Sequence, residues 1–270
     1  MKQTVKLLLL FISIITFAQE NTYSDLELQQ KLDSIKAEGN LLFSYENASW
    51  ISGDLISKNK KLKNNISDYL TYKTSDTVKT IFLNENRDLV LAEYSFKNNQ
   101  KKPVKEISNP RKLNENESNL KNIRSAVISQ LSNPQYEVGV PQGYSLNLII
   151  IPFNENYKIY LIPGTSQSGV IPFGNDYLFV ADKEGKIISN QKFHSRLIPA
   201  FTMGENGSFM TSSTHSHLRT SPLISATDIC TFKLYAPLTK LEEFSIYSPA
   251  LGTYMKYNYK KDMIEKTEKP

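Results

Sequence analysis

The chain has 270 residues, of which 40% are hydrophobic, 11% aromatic and 22% charged, enough apolar content for one packed domain or two small ones. That composition excludes a disordered tail protein, a collagen-like fibre and a disulfide-stapled miniprotein. The 32 Lys and Arg against 27 Asp and Glu give a net charge of +5, carried mainly by scattered lysines, which is not the clustered footprint of a nucleic-acid binder.

At the N-terminus Lys2 and Lys6 precede an apolar and hydroxyl stretch over residues 7–17, and Thr16-Phe17-Ala18 stands where a signal peptidase reads. This is the pattern of a secretory signal peptide cut after Ala18. The apolar core is too short for a membrane span, which takes ~20 residues, and no later run reaches that length. The expected mature chain is therefore exported, periplasmic or secreted, without a membrane span. Cys230 is the only cysteine, so no intramolecular disulfide can form, and its apolar neighbours Ile229 and Phe232 read as the surroundings of a buried free thiol.

From residue 24 to 37, Leu26, Leu28, Leu32 and Ile35 recur at helical spacing, with Ser24 as N-cap and Gly39 where a C-cap glycine would sit; this predicts one amphipathic helix. The runs 78–83 and 89–96, joined by the polar residues 84–88, predict paired antiparallel strands. Residues 97–116, rich in Lys, Asn and Glu with Pro103 and Pro110, read as an exposed connection. Leu120, Ile123, Val127, Ile128 and Leu131 then make a second helix, ended by Asn133-Pro134. Beyond it the texture becomes short aromatic and β-branched runs at 146–151, 157–162, 177–181, 186–188, 244–247 and 254–259, with a hairpin turn at 182–185. The fold class expected is α+β, a mainly antiparallel sheet with a few packed helices. The organisation expected is a signal peptide over 1–18, an α+β region over 19–134 and a β-rich region over 135–270, with both halves able to share one core.

All three histidines, His194, His215 and His217, fall within 24 residues of one another. In His215-Ser216-His217 an extended backbone would turn both imidazoles to one face, because side chains alternate with period two. Two nitrogens on one face are half of a zinc site, Asp228 supplies a candidate oxygen ligand, and His194 is a candidate third imidazole. Competing readings of the same residues are a solvated strand edge for His215 and His217, and helix N-caps for Ser225 and Asp228. Tyr257 and Tyr259, at alternate positions, read either as a carbohydrate or peptide platform or as packing.

The spacing of His215, Ser216, His217, Ser225 and Asp228 resembles the zinc motif of the JAMM (JAB1/MPN+) metalloprotease family, H-[ST]-H-P-x6-S-x-x-D preceded by a separate Glu, with Leu218 where the family has Pro. The resemblance implies that His215, His217 and Asp228 bind Zn²⁺, that a water takes the fourth position and that Ser225 supports the developing oxyanion. Glu155, 60 residues before His215, stands at about the separation implied for the general base, although Asn154-Glu155-Asn156 reads equally as a hairpin turn. Zinc lowers the pKa of its bound water towards ~7, so hydrolysis of an amide or isopeptide bond in a peptide or protein would follow. Two functions are thus expected in competition. One is an exported zinc-dependent hydrolase of JAMM type; the other is a non-catalytic exported binding protein with a structural or vestigial metal site. Neither involves nucleic acid.

Overall fold

A computed structural model describes residues 23–97, 99–204 and 206–270; the expected signal peptide lies outside them. Helix α1 (Asp25–Lys58) opens on a capping box: the Ser24 hydroxyl accepts from the Glu27 amide, and the Glu27 carboxylate accepts from the Ser24 amide at 2.9 Å. It does not stop at Gly39. That residue lies mid-helix, where α3 (Ala226–Tyr235) crosses, and a Cβ there would come within 2.8 Å of Ile229 Cβ. Gly39 is thus a contact point between helices, and α1 continues because Leu42, Tyr45, Ala48 and Ile56 are buried beyond it.

The expected hairpin forms as β2 (Val78–Leu83) and β3 (Leu89–Phe96), joined on one side by β1 (Asp68–Lys73) and on the other by β4 (Lys105–Ile107) and β5 (Arg111–Lys112). The segment expected to be a plain exposed connection therefore contributes two short edge strands. Arg111 explains the tether, since its guanidinium reaches Glu93 on β3 at 2.6 Å and Glu117, in the first turn of α2 (Glu115–Leu131), at 2.7 Å. Bidentate charge-assisted pairing of this kind fixes direction as well as proximity.

A second antiparallel sheet has the order β10 (Ile187–Lys192), β9 (Tyr177–Ala181), β7 (Asn156–Gly164), β6 (Ser145–Phe153). Its β9–β10 turn closes at Gly185, whose φ of 81° suits glycine. The turn also lies against α2: Gln130 donates to the Gly185 carbonyl at 2.8 Å and accepts from the Ile187 amide at 3.1 Å. Strands β8 (Val170–Gly174) and β11 (Leu197–Phe201) pair separately, and the last sheet runs β12 (Thr214–Ser216), β13 (Glu243–Ser248), β14 (Thr253–Asn258), β15 (Met263–Thr267). Strand β12 is parallel to β13 and the other pairs are antiparallel. The fold is α+β with mainly antiparallel sheets, as expected.

Each of three apolar clusters draws on residues from both sides of Pro134. One packs Leu28 and Leu32 against Phe173, Phe232 and Phe244; another joins Leu42, Phe82 and Phe96 to Ile149 and Ile162; the third joins Leu70, Ile81 and Leu120 to Ile159 and Phe179. Cys230 is fully buried in the second, and burial pushes its thiol up. Tyr257 is buried against Phe232 and Phe244; it packs the core and offers no exposed platform. No helix among the described residues is long and apolar enough to cross a membrane.

Candidate metal centre

Three elements meet at one end of α3. The turn after β10 carries His194, β12 and the residue beyond it carry His215 and His217, and the first turn of α3 carries Asp228. His215 is paired with Ile246 in β12 and the His217 amide donates to the Tyr247 carbonyl at 2.9 Å, so backbone pairing to β13 holds both imidazoles extended and on one face. All four side chains are buried, at 1–7% exposure, and one ligand atom from each lies within 4.8 Å of the others.

The ring nitrogens are oriented by their outer partners. His194 Nδ1 is 2.7 Å from Asp176 Oδ1; a carboxylate only accepts, so Nδ1 carries a proton and Nε2 is the nitrogen that faces inward, able to offer a lone pair once the imidazole is neutral. The other Asp176 oxygen accepts from the Thr227 hydroxyl. His217 Nδ1 faces the Ser221 carbonyl at 3.3 Å, which again turns an Nε2 lone pair inward. The two inward nitrogens, of His194 and His217, are 3.0 Å apart, and His215 Nε2 is 3.3 Å from that of His217. Lone pairs converging at such distances require a proton or a cation between them.

Asp228 completes the set. Its Oδ2 accepts from the Ser225 amide at 3.0 Å and hydroxyl at 2.7 Å and lies 3.1 Å from His217 Nε2. Its Oδ1 takes no hydrogen bond, although His215 Nε2 and His194 Nε2 lie 3.4 and 3.6 Å away. A buried carboxylate oxygen without a donor is costly unless something else meets it. Zinc bonds of ~2.0–2.1 Å in a tetrahedron imply ligand-to-ligand edges of about 3.3 Å. Five of the spacings, 3.0–3.6 Å and taken to either Asp228 oxygen, bracket that value, and the full set of ligand atoms lies within 4.8 Å.

Electrostatics point the same way. Burial works against a charged His194, yet the neighbouring Asp176 and Asp228 carboxylates outweigh it and raise the imidazole to about 9. Burial lowers His215, whose ring lies tilted 4.9 Å from Phe173 and stacked 5.9 Å from Phe244. Burial would raise Asp228, but the surrounding His194 and His217 hold it well below the usual carboxylate range. Two buried carboxylates, one facing the cluster and one behind it, balance the charge of a divalent ion.

His215, His217 and Asp228 are thus brought together, and His194 stands in the position where the motif resemblance implies water. Ser225 is the N-cap of α3, as one of its two readings expects, and both its amide and its hydroxyl donate to Asp228. Glu155 is not brought to the cluster. It is exposed in the β6–β7 turn and faces Lys183 at 3.6 Å. Two contributors were not anticipated, Asp176 and Thr227. The available signal for Asp176 was an acid lodged inside the apolar stretch 170–181, where an unpartnered charge would not be tolerated.

Comparison with known protein families, with curated proteins and with solved structures finds nothing that matches this chain.

Proposed function

We propose that His194, His215, His217 and Asp228 hold one zinc ion as a closed structural site, and that the protein is an exported, non-catalytic binding protein whose C-terminal region is clamped by that metal. The observation that carries this reading is the third imidazole: with His194 Nε2 at 3.0 Å from His217 Nε2, four protein ligands, their atoms within 4.8 Å of one another, are available to one ion, the number a tetrahedral site takes. A hydrolytic zinc needs an open position and a path for substrate. Here every ligand is buried, and the carboxylate beside His194, Asp176, is already committed on both oxygens.

The proposed metal joins the turn after β10, strand β12 and helix α3, three elements that share few covalent constraints in a chain with a single cysteine. Binding only the folded state then adds stability, about 3–4 kcal/mol when free zinc exceeds its Kd by two to three orders of magnitude. The test is elemental analysis of the purified protein beside a His215→Ala/His217→Ala double variant. About one zinc per chain, lost in the variant, is the expected result. No zinc after exposure to excess Zn²⁺ would overturn the reading.

A further inference from the structure

The C-terminal half of α1 overhangs a cleft of about 670 Å³, a size that accepts a small organic ligand. Glu46, Trp50 and Asp54 recur every four residues on the helix side, with Gly53 beside them, while Tyr69, Asn147 and Tyr235 line the remainder. The Trp50 and Tyr235 rings lie 5.3 Å apart, and Tyr69 packs 6.2 Å from Phe82, so two aromatic pairs flank the floor.

Glu46 occupies that floor at 5% exposure. Asn147 donates to its Oε2 at 2.7 Å, and no Lys, Arg or His lines the cleft among the described residues. Burial pushes the Glu46 carboxyl up to about 7. Burial and then Glu46 itself push the neighbouring Tyr69 phenol up to about 12. No basic side chain lines the cleft beside this acid, the Arg124 guanidinium near the Tyr69 ring being paired with Asp68, and aromatic ring faces are attractive to cations. Anionic ligands are disfavoured by two carboxylates without a compensating base, and a neutral apolar ligand would leave Glu46 still unpaired.

We propose that this cleft binds a small organic ammonium ion, whose charge pairs with Glu46 and whose carbon body lies between Trp50 and Tyr69. The proposal does not depend on the metal centre.

Trp50 is the only tryptophan of the chain and is 40% exposed, so its emission reports on the cleft directly. The purified protein is titrated with benzylamine, with benzyl alcohol as the uncharged isostere and maltotriose as an uncharged sugar. Benzylamine is expected to give a saturable change, with the two neutral probes at least about tenfold weaker. Glu46→Gln, which keeps an acceptor for Asn147, should weaken benzylamine binding by about tenfold or more. An added Cβ at Gly53 meets nothing within 4 Å, so a side chain can be introduced there beside the cleft, and Gly53→Phe should weaken the response. Equal binding of benzyl alcohol or maltotriose, undiminished binding in either folded variant, or no saturable response to benzylamine would overturn the proposal.

Discussion

Two buried acids, Asp228 and Glu46, sit on helices that touch, and they are driven in opposite directions. Asp228 is ringed by three imidazoles and is held well below the usual carboxylate range. Glu46 has one amide donor and is pushed up to about 7. Burial opposes the charge at both, so the difference lies in the partners. The cluster around Asp228 is a buried polar set of converging nitrogen and oxygen atoms, whereas Glu46 lines an aromatic cleft.

The largest effect that would break this contrast is loss of the proposed metal. Chelation, or the His215→Ala/His217→Ala change, should lower the melting temperature by on the order of 10 °C, since a few kcal/mol shift a chain of this size by a few degrees each. An unchanged melting curve after verified metal removal would mean that the cluster holds itself together without an ion.

The next effect is a pH dependence with a defined sign. In metal-free protein His194 has its folded pKa raised to about 9, so its contribution is fully present below the unfolded value near ~6.5 and is lost as pH rises through 9. Zinc must displace that proton, so affinity for zinc should rise over the same interval. Scanning calorimetry of the metal-free and zinc-loaded forms from pH 6 to 9 should therefore show their melting temperatures diverging; parallel curves would remove the proton from His194.

Glu46 gives a comparable but separable dependence. Its folded pKa of about 7 exceeds the usual 4.5, so the ligand-free protein loses roughly 3 kcal/mol as pH rises between those values. Glu46→Gln should erase that loss and make the protein more stable at pH 8 while weakening the cleft. Urea unfolding at pH 5 and pH 8 checks it, and a variant less stable than wild type at pH 8 would show that the ionised acid has a partner after all.

Smaller effects sharpen the comparison at its edges. Asp176→Asn removes the carboxylate behind His194 and should reduce zinc affinity about 10–100-fold, measured by competition with a coloured chelator; no change would make Asp176 a bystander. Gly39→Ala sets a Cβ against Ile229 where α1 meets α3 and should destabilise by about 1–3 kcal/mol, whereas a gain, as helix propensity alone would give, would show that the crossing yields.

The parts of the fold legible in the sequence were those with local signals. Ser24 caps α1, the apolar repeat at 120–131 gives α2, the alternation at 78–96 gives a hairpin, and Asp182 to Gly185 makes a turn. Gly39 misled because a glycine that admits a neighbouring helix has the same letter as one that ends a helix; only the partner, Ile229, distinguishes them. Strands β8, β11 and β12 are short and their pairings skip along the chain, so periodicity had little to register. At the site, the histidine clustering and the spacing to Asp228 were visible. The Asp176–His194 pair, joined across β9 and β10, exists only once the hairpin has formed.

The most direct test of the central claim is X-ray absorption at the zinc edge, comparing wild type with His194→Ala. The account predicts four ligands at ~2.0–2.1 Å, three imidazoles and one carboxylate, with one imidazole lost and affinity sharply reduced in the variant. A wild-type spectrum with two imidazoles and a bound water, unchanged in His194→Ala, would contradict it and return the centre to an open, hydrolytic type.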